Sequence, residues 1–405
     1  MKTLKSQKTI GFVILGIILL AGLLGFFTDA TAFPRLLIGI GIGYVLSRGV
    51  FGFAGMANRT FRTGSAGLIK GMMLVIIFTS IAVGAILIAQ DRIGTTIISL
   101  STFPITWGLF LGGLMFGIGM AFSSCCATGV LQELVSDPLR AVITIVFFGT
   151  GVFIGFPIGS TDLAKSAIIG SDDGISLLSI IPNDVTLSVI VALLITFTLA
   201  IIVILLSNLY EKKTASKFPT VEITEQPTYN TLYEKLFIKP YTMIQTTLSL
   251  SLLIALIFLI RGKGWSASSV IGYWLASFIS LFGVSPETLN EYAGKTTVIN
   301  VLQDPSSLQN IGIIIGTIVA LLLASQYVSK VKTTFSRKPL ELVLFALGGL
   351  LMGLGTRLSL GCNVGAFLTP AVGFSVSGWV YFVVLIASGY LGNKLFKQFY
   401  KLLKK

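Results

Sequence analysis

Long apolar runs separated by short polar stretches recur from one end of the chain to the other, at 9–27, 36–57, 69–90, 104–122, 139–157, 186–207, 242–261, 268–283, 309–328, 340–358 and 376–394. Most reach the roughly 18 residues a helix needs to cross a hydrocarbon core, so the pattern predicts an all-α polytopic membrane protein. Lys2, Lys5 and Lys8 precede the first run and Ala30-Thr31-Ala32 resembles a signal-peptidase site. The run exceeds the 7–15 apolar residues of a cleaved signal, which favours a retained first helix. Polar composition returns between 208 and 241, which reads as an extramembrane linker, on the cytoplasmic side, between halves at 1–207 and 242–405. Within it Tyr229, Leu232, Tyr233, Leu236 and Phe237 fall on one helical face, fitting either a short amphipathic helix on the membrane surface or a plain surface linker.

Sliding the chain on itself without a gap brings Gly112–Gly129 onto Gly348–Gly365, with eight of eighteen positions identical. Small residues are common in packed membrane helices, but one of only three cysteines landing on another is not, and the match predicts an internal duplication. Lys330, Lys332, Arg337 and Lys338 precede the second copy, while a sparse Asp91-Arg92 loop precedes the first. By the positive-inside rule the copies enter from opposite faces, an inverted repeat with broken or re-entrant helices around a central path. Loops 158–185 and 284–308, with Asp162, Asp172, Asp173, Asp184, Glu287, Glu291 and Asp304, fit the outside. One count does not close: 268–283 must re-enter, whereas 36–57, its counterpart at this offset, reads as a span.

Composition sharpens this picture. The chain of 405 residues is 54% hydrophobic and 11% charged, which excludes an ordinary soluble enzyme. Its net charge of +13 sits at the ends of apolar runs and marks topology rather than nucleic-acid binding. Three cysteines and no histidine leave too few ligands for a zinc, haem or iron–sulfur centre, and no cofactor is expected.

Each copy reads as a Gly-rich helix, a break, a cysteine, a glycine and a second apolar stretch: Cys126 to Gly129 and Cys362 to Gly365. Such breaks free backbone N–H groups for an anion, and at membrane depth they are tolerated only along a cavity or inside protein. The alternative is an inert buried thiol in a helix–loop–helix. A neutral thiol is a weak donor with a polarisable surface, suited to the terminal sulfur of a sulfur oxyanion. Cys125 is a further relay thiol, half of a redox pair, or a packing residue, the last favoured because its counterpart is Gly361. Arg357, five residues before Cys362, either attracts an anion or snorkels at a helix end, and Arg48 carries the same two readings. Asn363 adds an amide donor beside Cys362.

Gly355-Thr356-Arg357-Leu358-Ser359-Leu360-Gly361-Cys362-Asn363, with Cys126 to Gly129 and the stretch from Arg48 to Arg59, resembles the YeeE/YedE family of bacterial thiosulfate and sulfur-compound permeases. The resemblance implies two pseudo-symmetric halves pinched to a constriction, an inner-membrane location, cysteines lining a thiosulfate path, and a TusA-type sulfur-carrier protein as cytoplasmic receiver. The sequence departs from that pattern at Gly52, where a first path cysteine is expected, and at Cys125, where glycine is usual.

The expectation is therefore a permease, not an enzyme, that imports thiosulfate or a related sulfur anion past Cys126 and Cys362. No P-loop motif is present, so transport is facilitated or ion-coupled unless a partner supplies energy. The alternatives are a less selective anion channel, a membrane sulfurtransferase or redox protein carrying sulfur on Cys125-Cys126, and a structural membrane subunit. The second of these lacks a base or cation next to the thiols in sequence.

Overall fold

Helix boundaries follow the polar and glycine punctuation of the apolar runs. The computed structural model describes residues 2–23, 30–181, 183–215, 229–332 and 339–402. In chain order the helices are α1 (Lys2–Leu23), α2 (Ala32–Arg48), α3 (Gly55–Thr63), α4 (Gly67–Ile93), α5 (Trp107–Ser123), α6 (Ala127–Ser136), α7 (Pro138–Ile154), α8 (Asp162–Lys165), α9 (Val185–Thr214), α10 (Met243–Arg261), α11 (Ser268–Ser280), α12 (Pro286–Ala293), α13 (Pro305–Leu323), α14 (Tyr327–Lys332), α15 (Pro339–Leu358), α16 (Thr369–Val372) and α17 (Val376–Leu402), with a π-helical turn Asn363–Leu368 before α16. Thr106, Asp184, Thr242 and Asp304 open α5, α9, α10 and α13 by accepting an amide three residues on. Gly94 and Gly262 close α4 and α10 in the left-handed region. Among the described residues the only extended pairing is two isolated bridges, Ile105–Ile169 and Ser176–Ser375.

Seven helical segments are long and apolar enough to cross a membrane: α4, α5 with α6, α9, α10, α13, α15 through α16, and α17. The apolar stretch Gln7–Gly22 of α1 and the 17-residue helices α2 and α7 run alongside them. The chain is a multi-pass, all-helical membrane protein.

Three expected segments change. The run 36–57 is not one span: α2 stops at Arg48, Val50 takes a φ of 48°, and α3 begins at Gly55. Segment 268–283 shrinks to α11, whose 13 residues span about 20 Å, too little to cross. Residues 208–214, expected as linker, continue α9, anchored by Glu211 on Lys70 at 2.6 Å. Residues 216–228 of the linker, like Arg337 and Lys338, lie outside the described residues. The amphipathic face expected around Tyr229 is a short helical stretch ending in a π-helical turn, Glu234–Ile238. The Tyr233 hydroxyl bonds the Leu323 carbonyl at 2.6 Å and Phe237 packs edge-on against Phe12, while Leu232 and Leu236 stay exposed.

At the centre α5 and α15 cross in antiparallel contact through glycines. A Cβ at Gly112 or Gly355 would stand 2.5–2.6 Å from the other's carbonyl oxygen, and one at Gly119 or Gly348 would stand 2.6–2.8 Å from its partner's. Both pairs put backbone on backbone, so nothing flexible can move aside. The repeat offset carries Gly112 onto Gly348 and Gly119 onto Gly355, so the pairing is reciprocal, as a two-fold axis between the helices requires. The neighbours follow: Gly113 faces Val384 on α17 as Gly349 faces Phe148 on α7, at the same offset. Farther out α2 lies along α13 and α10 along α4, each in parallel.

Candidate functional site

Cys126 and Cys362 sit where α5 and α15 break, and the two breaks share their serine and backbone hydrogen bonds. Ser123 Oγ bonds the carbonyls of Gly119 (2.9 Å) and Cys125 (3.3 Å); Ser359 Oγ bonds those of Gly355 (2.7 Å) and Gly361 (3.0 Å). Ser124 and Leu360 then take left-handed φ values of 61° and 58°. Cys126 and Cys362 follow in extended conformation, and their carbonyls accept the amides of Val130 (2.8 Å) and Ala366 (2.7 Å) as the next helical segments begin. Every one of these pairs keeps the offset that carries Gly112 onto Gly348.

The Cys126 sulfur caps α6, accepting the Gly129 amide at 3.3 Å, with the amides of Thr128 and Ala54 also directed at it. N–H groups converging on a soft atom at a helix start form a ready site for negative charge. Cys362 has no such cap bond. Both thiols are 1% exposed and lie within electrostatic reach of each other. Asn363 bridges the breaks, its Nδ2 3.0 Å from Met120 Sδ on α5, and its Oδ1 is buried without a partner. At Gly129 a Cβ would stand 3.5 Å from the Cys126 sulfur, and at Gly365 3.5 Å from Ser266 Oγ, so both glycines keep the approach to the breaks low.

A cavity of about 360 Å³ leads to the first break. Cys125, Cys126, Gly129, Gly52, Glu133 and Phe53 line it, and Arg59 and Lys330 stand in its wall. These cations share a face with Arg62, Lys70 and Lys213, here called the basic face. Gly52 opens onto empty space, with nothing within 4 Å of where its Cβ would be. A Gly52→Cys variant is accordingly expected to accumulate as wild type and to place a thiol in the cavity. In vesicles exposing the basic face it should label with a membrane-impermeant maleimide at least several-fold faster than buried Cys126; equal labelling rates would contradict this geometry.

The structure supplies what the sequence neighbours of Cys125 do not. Glu133 lies beside this thiol and Arg140 within electrostatic reach of it, the two joined by a 2.6 Å ion pair that Asp137 extends at 3.4 Å. The two arginines part company. Arg357 is 8% exposed, donates to Ser269 Oγ at 3.0 Å, lies 5.4 Å over the Phe156 ring, and is within electrostatic reach of Cys362. Lys295 stands over the same ring at 4.7 Å, and neither cation has an ion pair among the described residues. Arg48 does not join the cysteines: its guanidinium bonds the carbonyls of Ile238 and Lys239 and faces the Tyr241 ring, pinning the linker's end to α2.

Sequence reasoning reads Arg62 only as a topology charge and does not single out Asn58 or Asn393. Arg62 bonds Asn393 Oδ1 (2.6 Å), Ser124 Oγ (3.0 Å) and the Ala121 carbonyl (2.7 Å). Asn58 donates to the Met120 carbonyl at 2.8 Å and accepts from Asn393 at 2.9 Å. Together they satisfy the orphan carbonyls at the end of α5. Their partners are so distant in sequence that no local spacing signals them.

Residues 48–391 match the family model described as sulphur transport. The probable transporter YedE of Escherichia coli (strain K12) is 25% identical over 157 residues, 39% of this chain and 38% of that protein. YedE of Salmonella typhimurium is 26% identical over 137 residues, 34% of this chain and 33% of that protein. The match therefore spans little more than a third of these two relatives' length. The thiosulfate transporter TsuA of Spirochaeta thermophila is 23% identical over 376 residues, 88% of this chain and 96% of that protein. With the family model covering most of the chain and its two cysteine breaks, the chain belongs to the sulphur-transport (YeeE/YedE) family.

Proposed function

We propose that the protein is a permease that imports thiosulfate, or a closely related sulfur anion, across the bacterial cytoplasmic membrane past a constriction formed by Cys126 and Cys362. The observation that carries this reading is the pair of matched breaks, which set two buried thiols just past the ends of α5 and α15 within electrostatic reach of each other, one of them lining a cavity. Family membership supports sulfur-anion transport, and the name of TsuA supports thiosulfate. Arg357 and Lys295, cations without ion pairs among the described residues, would draw the anion toward Cys362 from the opposite face. The basic face, with Arg59, Arg62, Lys70 and Lys330, would be cytoplasmic, where a TusA-type carrier could receive the product.

The same reading places two inverted halves around the path. Helix α1 packs on α13 as α9 packs on α4, which supports grouping α9 with the second half and starting that half in the loop after α7. Each half then has five crossings, α1, α2, α4, α5 and α7 against α9, α10, α13, α15 and α17, with α3 and α11 as short counterparts. An odd number of crossings per half would invert the second half, in keeping with the inverted-repeat reading.

The test is growth on thiosulfate as sole sulfur source in a bacterium lacking its own uptake systems. Rescue by the wild-type protein is expected; failure at verified membrane levels would refute thiosulfate import. A second reading, sulfur carriage on Cys125-Cys126, would use the Glu133 carboxylate beside Cys125 as its base, although burial of that thiol works against thiolate formation. It predicts purified protein with one extra sulfur on Cys125, and an unmodified mass after exposure to thiosulfate would exclude it.

A further inference from the structure

Tyr381 on α17 is completely buried; its hydroxyl meets no partner at good hydrogen-bond geometry, and Ser359 is the side chain that comes near to pairing with it. Burying a hydroxyl unpaired is unfavourable, and phenylalanine would fill the same space without that cost. The surroundings suggest why tyrosine stands there. The phenol lies beside Ser359 and within electrostatic reach of both Cys126 and Cys362. Ser359 spends its own proton on the Gly355 or Gly361 carbonyl. The ring is held against α5, where a Cβ at Gly113 would stand 3.3 Å from Cε2. Its counterpart in the first half, at the offset that carries Gly112 onto Gly348, is Ile145. The matched register in the first half thus carries an aliphatic residue, and the hydroxyl is particular to the second.

We infer that Tyr381 is a specificity-determining residue of the path, its O–H donating to an oxygen of the sulfur oxyanion whose terminal sulfur rests against Cys126 and Cys362. The inference rests on the proposed function. It assigns the two ends of the ion to two chemistries: polarisable thiols for the sulfur, a neutral hydroxyl for an oxygen. A neutral donor suits a transporter, because a hydrogen bond orients the anion without holding it as a buried cation would. No proton is transferred; the hydroxyl exchanges an empty environment for an acceptor and back again.

The test uses the full-length protein in proteoliposomes, with KM and maximal rate for radiolabelled thiosulfate measured for wild type and Tyr381→Phe. One hydrogen bond to a charged acceptor predicts a KM raised by about ten-fold or more, with a melting temperature equal to or above that of wild type. In parallel, the rise in melting temperature that thiosulfate gives the detergent-purified wild type should vanish in Tyr381→Phe at the same concentration. Unchanged KM and an unchanged thermal shift would overturn the inference. So would failure of Tyr381→Phe to accumulate in the membrane, since the hydroxyl would then be a structural group. Absence of uptake by the wild type would instead remove the function on which the inference rests.

Discussion

Cys362→Ala and Cys126→Ala are each expected to lower thiosulfate uptake in whole cells by at least about ten-fold, equivalent to about 1.4 kcal/mol or more on the transport barrier. Cys125→Ala should retain most activity. The first two side chains are 1% exposed, within electrostatic reach of one another, and set in breaks whose hydrogen bonds run through backbone and serine rather than through cysteine sulfur, apart from the Gly129 amide on Cys126. Removing a sulfur therefore leaves the break standing while taking the polarisable surface from the path. A stability origin is checked separately: truncating one small buried side chain should leave extraction yield and melting temperature near wild type. Uptake unchanged in both variants would mean that the thiols are packing residues and that the path runs elsewhere.

Gly355→Val is expected to abolish accumulation of folded protein. Its Cβ would stand 2.6 Å from the Gly112 carbonyl oxygen and 3.0 Å from the Phe116 amide, both backbone. Overpacking in a core with flexible neighbours costs about 1–3 kcal/mol; here relief requires α5 and α15 to separate. Because each break hangs from one of these helices, separation also destroys the register of Cys126 against Cys362. Gly52→Ala, with open space around its Cβ, is the matched control and should behave as wild type. Fluorescence-detected size-exclusion chromatography at equal expression reads the difference, and a monodisperse wild-type peak for Gly355→Val would contradict the crossing.

Much of this architecture is legible in the sequence because hydrophobic runs and glycine spacing are local signals. The repeat offset is visible from residues 112–129 alone, and the structure carries it into the serine bonds, the left-handed residues Ser124 and Leu360, and the contacts Gly113–Val384 and Gly349–Phe148. Upstream the two stretches paired at this offset differ in form: 36–57 divides into the end of α2, a turn and α3, whereas 268–283 holds the single helix α11 and is followed by α12. Where α2 stops is hidden as well. Hydropathy continues through Val50, Phe51 and Phe53, and only the left-handed turn at Val50 reveals the break.

Site residues divide along the same line. Cys126, Cys362 and Asn363 are candidates that motif and spacing mark. Arg48 is equally eligible in sequence, yet its guanidinium is committed to the carbonyls of Ile238 and Lys239 in the linker. The Arg62–Asn58–Asn393 network and the Glu133–Arg140 pair beside Cys125 depend on contacts between elements, which a single sequence does not display.

The most direct test of the central claim is the initial rate of radiolabelled thiosulfate entry into liposomes containing only this protein, for wild type and for the Cys126→Ala, Cys362→Ala double variant. The account predicts saturable uptake by the wild type that unlabelled thiosulfate competes away, and a rate for the double variant indistinguishable from protein-free liposomes. Folded, inserted wild-type protein with no uptake above that background, or a double variant that transports as well as wild type, would contradict it.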